Sequence, residues 1–290
     1  MSSGHIIYKH RQLADRIHDY WVEAPRVAAK HAAGQFVILR LHEHGERIPL
    51  TVVGTDPEHG MIRLIVQEAG KTTEEFAHYT VGSSILDIVG PLGQPTHMHN
   101  WGNLLVVGGG VGAAPLLPIA KAAKAAGNKV HAILGARSKS LLILSDEFSE
   151  VCDDVRLCTD DGTLGRQGFV TDVLQHWCDG GVKFDFGIVV GPVAMMGATA
   201  RVMGKWNIPG LASLNPIMVD GTGMCGACRV TVDKKVRFAC VEGPEFDIHG
   251  VDFQELLLRN RSYVREEHAA VEHAHACQLT ETIKHVRAEA

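Results

Sequence analysis

The chain has 290 residues, which is long for a single hydrophobic core and favours two or three compact domains. Hydrophobic residues make up 46% and charged residues 21%, and the net charge is -5, so nothing indicates nucleic-acid binding, which favours a concentrated basic face. No apolar run approaches the roughly 20 residues that span a bilayer, and the N-terminus has no apolar signal region. The sequence therefore predicts a cytoplasmic protein.

Short apolar stretches separated by turn residues occupy the first hundred residues. Residues 35–41, 50–53 and 61–66 are strand-like, and glycines separate these stretches. Several short strands at this spacing are typical of a small antiparallel barrel. We therefore predict a β-barrel over residues 1–100.

The pattern changes at Trp101, where continuous apolar strands begin to alternate with helical stretches. Residues 103–107 form the first such strand, and an Ala-rich helical stretch follows. This alternation implies a parallel sheet covered on both faces. We predict a parallel α/β domain over residues 101–212, a loop-rich cysteine-containing domain over 213–250, and a charged helical tail over 251–290.

A glycine-rich segment, residues 108–112, joins the first strand and helix of this α/β domain. Glycines there let backbone amides approach a pyrophosphate, and a helix N-terminus favours its negative charge. Tight packing of strand on helix explains the glycines equally simply. A standard Rossmann site has an acidic residue after the second strand, where this chain has Gly135, Ala136 and Arg137. Taken alone, Arg137 and Lys139 favour the additional phosphate of NADP.

Three of the seven cysteines follow an aspartate at a regular spacing. The pattern is Asp220-x4-Cys225-x2-Cys228-x11-Cys240, which is the register of a plant-type [2Fe–2S] site with aspartate in place of the first cysteine. Small intervening residues allow the loop to wrap tightly, and a carboxylate supplies an anionic oxygen ligand. We therefore predict that these four residues are the ligands of a [2Fe–2S] cluster.

Two other interpretations of these ligands stay open. The cysteines could hold zinc together with Asp220 or a histidine. Alternatively, Asp220 could cap the turn, because Asp-Gly is a common turn pair, while a distant histidine or one of the remaining cysteines completes the site. Near the C-terminus, His268, His273 and His275 lie beside Cys277 without the spacing of a metal site, and we interpret them as part of a solvated tail.

Taken together, the three regions resemble the ferredoxin–NADP reductase superfamily over nearly the whole chain. Within it, the chain is similar to the electron-transfer subunits of dihydroorotate dehydrogenase and, more so, to the small subunits of NADH-dependent reduced ferredoxin:NADP oxidoreductases. Besides the cluster loop and the glycine turn, the resemblance rests on segments 47–51, 70–73, 90–93, 135–137, 159–162, 191–196 and 240–246.

The resemblance implies that the barrel binds FAD and the α/β domain binds NAD(H). It places the Thr51 hydroxyl at the reactive edge of the flavin, as the candidate catalytic group. Many relatives have arginine where this chain has Ile48, so either Arg47 or Lys71 would contact the phosphate. The residues implied for FAD are Arg47, Ile48, Pro49, Leu50, Thr51, Ile65, Val66, Gln67, Gly70, Lys71, Thr72 and Thr73. Those implied for the nicotinamide nucleotide are Gly109, Gly110, Val111, Gly112, Ala113, Gly135, Arg137, Asp161, Gly191, Pro192 and Met195.

The resemblance also implies an oxidoreductase subunit that passes electrons between NAD(H), FAD and the [2Fe–2S] cluster. The partner would be a larger flavoprotein subunit with its own FAD and [4Fe–4S] clusters, which handles NADP(H) and ferredoxin and carries out electron bifurcation. Aspartate in the first ligand position is typical of the bifurcating reductase, while the dihydroorotate dehydrogenase subunit resembles a four-cysteine family, so Asp220 favours the former. The alternatives are the dihydroorotate dehydrogenase subunit and a structural subunit that binds zinc or no cofactor.

Overall fold

The N-terminal part of the chain folds into a curled antiparallel sheet in the computed structural model, which describes residues 4–272. Its elements are β1 (His5–Ala14), β2 (Ile17–Glu23), α1 (Pro25–Ala28), β3 (Phe36–Arg40), β4 (Ile48–Asp56), β5 (Met61–Gln67), α2 (Lys71–Ala77), β6 (Ser84–Ile85) and β7 (Asp87–Leu92). The seven strands are ordered β6-β1-β2-β5-β4-β3-β7. Because only Leu86 separates the two edge strands β6 and β7, the sheet closes into a nearly complete barrel.

Strand β5 is buried on both faces because it packs against two cores. Leu64 and Val66 point into the barrel, where they join Tyr20 and Phe76. Ile65 points outward and packs with the apolar residues of the α/β domain. The continuous apolar run of this strand is therefore explained by a second layer that covers the barrel wall.

The second sheet forms the centre of the α/β domain. Its elements are β8 (Asn103–Gly109), a 3-10 turn (Gly110–Gly112), α3 (Ala113–Ala125), β9 (Lys129–Ala136), a second 3-10 turn (Lys139–Leu141), α4 (Ser145–Val151), β10 (Asp154–Thr159), β11 (Arg166–Gln167), α5 (Val170–Asp179), β12 (Phe186–Val190), α6 (Val193–Lys205) and β13 (Gly210–Ser213). Leu104 and Val106 of β8 pack on the α3 side, while Leu105 and Val107 pack on the side of α5 and α6. Helices thus cover both faces, as the apolar strands predict.

The C-terminal segment adds a hairpin and an edge strand. Its elements are β14 (Arg229–Val232), β15 (Lys235–Phe238), α7 (Ala239–Glu242), β16 (Glu245–Asp247) and α8 (Phe253–Arg259), followed by helical residues 264–272. The second sheet has the order β11-β10-β9-β8-β12-β13-β16 and is parallel except for β16, which pairs antiparallel with β13. The predicted fold class, an antiparallel barrel followed by a parallel α/β domain and a small C-terminal domain, is confirmed.

The predicted helical tail, 251–290, is described only as far as residue 272, so His273, His275 and Cys277 lie outside the described residues. Within residues 4–272, no helix is long and apolar enough to cross a membrane.

A buried charge network joins the barrel to the α/β domain. Arg63 of β5 donates hydrogen bonds to Asp19 of β2 at 2.9 Å and to Glu147 of α4 at 2.8 Å. The Arg63 and Asp19 side chains are both buried. Since breaking a buried ion pair leaves an uncompensated charge, this network holds the two domains in a defined orientation.

Candidate cofactor sites

The glycine turn and the Gly191-Pro192 turn meet at one edge of the parallel sheet. Strands β8 and β12 are neighbours, and the chain leaves β8 towards β9 on one side and β12 towards β13 on the other. Their carboxyl ends therefore flank a topological switch point, where open α/β sheets bind ligands. The structure brings Gly109 and Gly112 together with Gly191 at this position.

The glycines of this turn have two different surroundings. A Cβ atom on Gly112 would lie 2.6 Å from the Val190 carbonyl oxygen, and one on Gly109 would overlap the Met195 sulfur, so both glycines are required for packing. Gly110 has a φ of 55° and open space where its Cβ would lie. Packing therefore explains Gly109 and Gly112, whereas Gly110 faces open space and its contact with a nucleotide stays a prediction. Val111 is half-buried, and Ala113 is buried at the start of α3.

The loops after β9 and β10 lie at the same edge of the sheet. Gly135 packs against Val170, while Arg137 is exposed. Asp161 accepts hydrogen bonds from the amide and hydroxyl of Thr163, and these bonds lower the pKa of Asp161. The Asp161 carboxylate is thus hydrogen-bonded within its own loop. Of the two residues predicted to contact the nucleotide, the exposed Arg137 is the more accessible.

The predicted flavin strand begins β4 and lies beside β3. Ile48, Pro49, Leu50 and Thr51 are half-buried, and Thr51 pairs with Phe36 across the ladder. The predicted phosphate contact Arg47 precedes this strand and is exposed.

The second predicted flavin segment is the end of β5. The side chains of Ile65 and Val66 are buried in two apolar cores, so only their main chain is open to a ligand. Gln67 is exposed.

The segment predicted to bind the FAD pyrophosphate begins helix α2 at Gly70. The hydroxyl of Thr73 accepts hydrogen bonds from the amides of Ala69 and Gly70. The hydroxyl of Thr72 donates to the Glu46 carboxylate at 2.7 Å, and Lys71 lies 3.9 Å from the same carboxylate. Glu46 therefore supplies a negative charge at the place where the resemblance puts a phosphate.

Two of the four predicted cluster ligands bring their sulfurs together, and the other two are linked through a backbone amide. The sulfurs of Cys228 and Cys240 are buried and 3.2 Å apart. The Asp220 carboxylate accepts a hydrogen bond from the Cys225 amide at 3.0 Å, and Cys225 itself is exposed. A [2Fe–2S] cluster needs two protein ligands on each iron, so the contact between the Cys228 and Cys240 sulfurs and the thiol-rich donor set fit such a cluster.

Local hydrogen bonds determine the charge of Asp220. Burial acts to raise the pKa of Asp220, but hydrogen bonds from Thr222 and Cys225 outweigh it and lower that pKa to about 2. The side chain is therefore an anion at neutral pH, and its hydrogen bonds are those of a turn cap. In the described part of the chain, no three histidine, cysteine, aspartate or glutamate side chains are grouped closely enough for one metal ion.

Burial and the neighbouring Cys228 sulfur raise the pKa of Cys240 to about 12. Without a metal this thiol stays protonated, and binding of iron requires the loss of its proton.

Comparison with known proteins identifies the family. Residues 215–252 match the iron–sulfur cluster binding domain of dihydroorotate dehydrogenase B. A Thermotoga maritima protein named as a homologue of the electron transfer subunit of dihydroorotate dehydrogenase B (NAD(+)) is 50% identical over 92% of this chain and 94% of its own length. The chain belongs to the dihydroorotate dehydrogenase B electron-transfer subunit family. A Bacillus cereus electron transfer subunit of that enzyme is 30% identical over 84% of the chain and 95% of its own length.

Solved structures extend the family comparison. The structure of an NADH-dependent reduced ferredoxin-NADP oxidoreductase, described in connection with flavin-based electron bifurcation, superposes with a TM-score of 0.89 at 48% identity, covering 94% of this chain and 98% of that one. A Neisseria gonorrhoeae ferredoxin NADP+ reductase superposes with a TM-score of 0.59 at 17% identity over 70% of this chain and 90% of that one, and shows the shared fold. The chain is therefore an electron-transfer oxidoreductase subunit with an iron–sulfur binding domain and the ferredoxin–NADP reductase fold.

Sequence reasoning missed several polar groups near these sites. Thr96 donates a 2.7 Å hydrogen bond to Glu245, which joins the end of the barrel to β16. Arg229 and Arg259 donate to the carbonyls of Gly226 and Ala227 in the cluster loop. Arg229 directly follows Cys228, so its position in the sequence could have indicated that it lies near the cluster loop. Glu245 and Arg259 reach their partners only through the tertiary fold.

Proposed function

We propose that the chain is the NADH-linked electron-transfer flavoprotein subunit of an electron-bifurcating ferredoxin:NADP oxidoreductase. The observation that carries this proposal is the 48% identity over 94% of the chain with the NADH-dependent reduced ferredoxin-NADP oxidoreductase. The aspartate at position 220 supports the same choice, because the resemblance associates aspartate at that position with the bifurcating reductase.

In this proposal the chain forms three sites, one each for FAD, the [2Fe–2S] cluster and the nicotinamide nucleotide. FAD would be held along β4, with the half-buried Thr51 near its ring and the start of α2 near its pyrophosphate. Asp220, Cys225, Cys228 and Cys240 would hold the [2Fe–2S] cluster. When bound, FAD exchanges two electrons with a nicotinamide, and the cluster carries single electrons. The chain itself orients these groups and excludes water, and no side chain is needed as a general acid or base.

The nicotinamide site lies at the switch point between β8 and β12, where Gly110 is open to a ligand. The nucleotide is NAD(H) rather than NADP(H), because the family resemblance assigns the NADH reaction to the small subunit. Arg137 is exposed beside this edge.

The partner is a larger flavoprotein subunit that carries FAD and [4Fe–4S] clusters and reacts with NADP(H) and ferredoxin. The complex belongs in the cytoplasm, where cysteine thiols stay reduced and available to iron.

A second candidate is the electron-transfer subunit of dihydroorotate dehydrogenase. The names of the relatives at 50% and 30% identity favour it, as does the family domain matched at residues 215–252. The cofactor set is the same in both cases, so the identity of the larger subunit distinguishes the two candidates.

The test is to purify the full-length chain with its co-purifying subunits under anaerobic conditions. We expect flavin and iron–sulfur absorption, close to two irons and two sulfides per chain, and a larger flavoprotein identified by mass. NADH should bleach the flavin faster than NADPH. Absence of flavin and iron would overturn the electron-transfer function, faster bleaching by NADPH would overturn the choice of NAD(H), and co-purification of a dihydroorotate dehydrogenase would select the second candidate.

A further inference from the structure

A polar cavity of about 350 Å³ opens beside the cluster loop. Cys225, Gly226 and Ala227 form one wall, and the end of α8 with the following residues forms the other. Of the ten described residues that line it, none is acidic and two are arginines, Arg229 and Arg259. The cavity is therefore a positively charged recess at the exposed end of the predicted cluster site.

The two arginines are held in place without a counter-charge. Arg229 donates to the Gly226 carbonyl at 2.9 Å and Arg259 to the Ala227 carbonyl at 3.2 Å. Neither forms an ion pair with an acidic side chain of residues 4–272. In addition, the Nε atom of Arg259 and the Oδ1 atom of Asn260 are buried without a hydrogen-bond partner in this part of the chain. Buried polar atoms in folded proteins are normally paired, so the Arg259 Nε, a donor, has unused hydrogen-bonding capacity, whereas the Asn260 Oδ1, an acceptor, offers nothing to an anion.

Exposed apolar side chains lie in and next to the segments that line the cavity. Tyr263, which lines the cavity, is 56% exposed, and Met224 and Leu258, the chain neighbours of Cys225 and Arg259, are 88% and 69% exposed. Aromatic residues, methionine and arginine are enriched in protein–protein interfaces. A single anion would not cover these apolar side chains, whereas an acidic side chain on a protein surface would cover them and also neutralise the arginines.

We propose that this cavity is a carboxylate-binding site that receives an acidic side chain of the larger partner subunit beside the exposed Cys225 end of the cluster loop. The inference rests on the proposed function for the identity of the partner. The carboxylate pairs with Arg259 and Arg229, while Met224, Leu258 and Tyr263 form the surrounding apolar contact. Docking here brings the partner to the part of the loop where an electron leaves or enters.

The experiment measures the dissociation constant between the full-length chain and the purified larger subunit over a range of salt concentrations. Arg259→Gln should raise the dissociation constant about 30-fold and weaken its salt dependence, because a desolvated interface arginine carries a large part of the binding energy. Arg26→Gln, at an exposed position on α1 of the barrel, should leave it unchanged.

A second pair of variants leaves both arginines intact. Ser262 lines the cavity, so Ser262→Glu should place a competing carboxylate inside it and weaken binding about as much as Arg259→Gln does. Ser262→Gln has nearly the same size without the charge and should bind close to normally. Flavin and cluster spectra of each variant verify that the fold and the cluster are retained.

The outcomes separate this inference from the proposed function. Wild-type affinity and salt dependence in Arg259→Gln and Ser262→Glu, with cofactor spectra retained, would overturn the docking site. Equal weakening by Ser262→Glu and Ser262→Gln, or a loss of self-association of this chain in place of partner binding, would also overturn it. A chain that binds the larger subunit through the arginines but contains no flavin or iron would support the docking site and overturn the proposed function.

Discussion

The carboxylate of Asp220 accepts hydrogen bonds from the amides of Thr222, Met224 and Cys225 and from the Thr222 hydroxyl. These bonds keep it ionised and shape the loop that carries Cys225. This geometry is compatible with two roles for Asp220: a cap of the turn, and an anionic oxygen ligand of iron. The two roles differ in what each requires: a cap needs an acceptor, whereas a hard ligand also needs a negative charge.

Substitution of Asp220 can separate these roles. Asp220→Asn keeps an acceptor for the amides but removes the charge, and Asp220→Cys supplies the ligand found in plant-type sites. We expect Asp220→Asn and Asp220→Ala to lose most of the iron and sulfide, and Asp220→Cys to keep the cluster with an altered EPR spectrum. The measurements are iron and sulfide content and EPR of the reduced protein. A full cluster with an unchanged EPR signal in Asp220→Asn would show that the residue acts only as a cap.

The buried pair of Cys228 and Cys240 leads to a second prediction at this scale. Cys228→Ser should deplete iron and sulfide while most of the FAD remains, because the flavin is predicted to lie in the barrel. Cys178→Ser is the matched control, since this thiol is also buried but lies on α5. Metal analysis and the flavin spectrum after gel filtration test the prediction. Full cluster occupancy in Cys228→Ser would remove this cysteine from the ligand set.

At the scale of elements, the turn between β8 and α3 combines packing and ligand access in five residues. Gly112 touches the backbone of the neighbouring β12 turn, whereas no atom lies within 4 Å of the place that a Cβ on Gly110 would occupy. A helix that begins directly after such a turn points its free amides towards the open side. The element therefore leaves one position where a nucleotide phosphate can approach the backbone.

Two alanine substitutions distinguish strain from ligand contact. Gly110 and Gly82 both have positive φ, 55° and 90°, and both have open space where a Cβ would lie. Each substitution should cost about 1–2 kcal/mol of stability, because non-glycine residues are strained in this region. Only Gly110→Ala should also weaken NADH binding, by several-fold. Urea unfolding and a NADH titration test this, and equal NADH affinity in the two variants would argue against a phosphate contact at Gly110.

At the scale of the whole molecule, Glu245 lies where the barrel, the α/β sheet and the cluster segment meet. Its Oε1 atom accepts a hydrogen bond from Thr96, and a Cβ atom on Gly34 would lie 3.1 Å from it. Burial raises the pKa of Glu245 to about 7, although the Thr96 bond acts to lower it. Because Gln94 also donates its amide hydrogen to the Gly243 carbonyl, the junction links three parts of the chain.

The raised pKa predicts a pH-dependent stability. The folded state binds the proton of Glu245 more tightly than the unfolded chain, whose glutamates titrate near pH 4.3, so the stabilisation is present below that pH and is lost as the pH rises towards 7. Relative to wild type, Glu245→Gln should gain about 2 kcal/mol in free energy of unfolding between pH 5 and pH 8. Urea unfolding at both values measures this. Exposed Glu150 provides the control, Glu150→Gln, and a pH-independent difference for Glu245→Gln would contradict the prediction.

The sequence by itself determined the features that depend on neighbours along the chain. Alternation of apolar residues predicted the barrel and the covered parallel sheet, and the close spacing of Asp220, Cys225 and Cys228 predicted the cluster loop. These features are local because strand and helix periodicity and the reach of a short glycine-rich loop depend on a few consecutive residues.

Only the tertiary structure decided which distant groups meet. It placed Glu245 beside Thr96 and Arg259 beside the cluster loop. The tertiary structure also showed that Gly112 is needed for packing while Gly110 faces open space. The neighbours of Gly112 come from the end of β12, which is far along the chain. Such contacts depend on how the two sheets and α8 pack together, and no pattern of nearby residues encodes that arrangement.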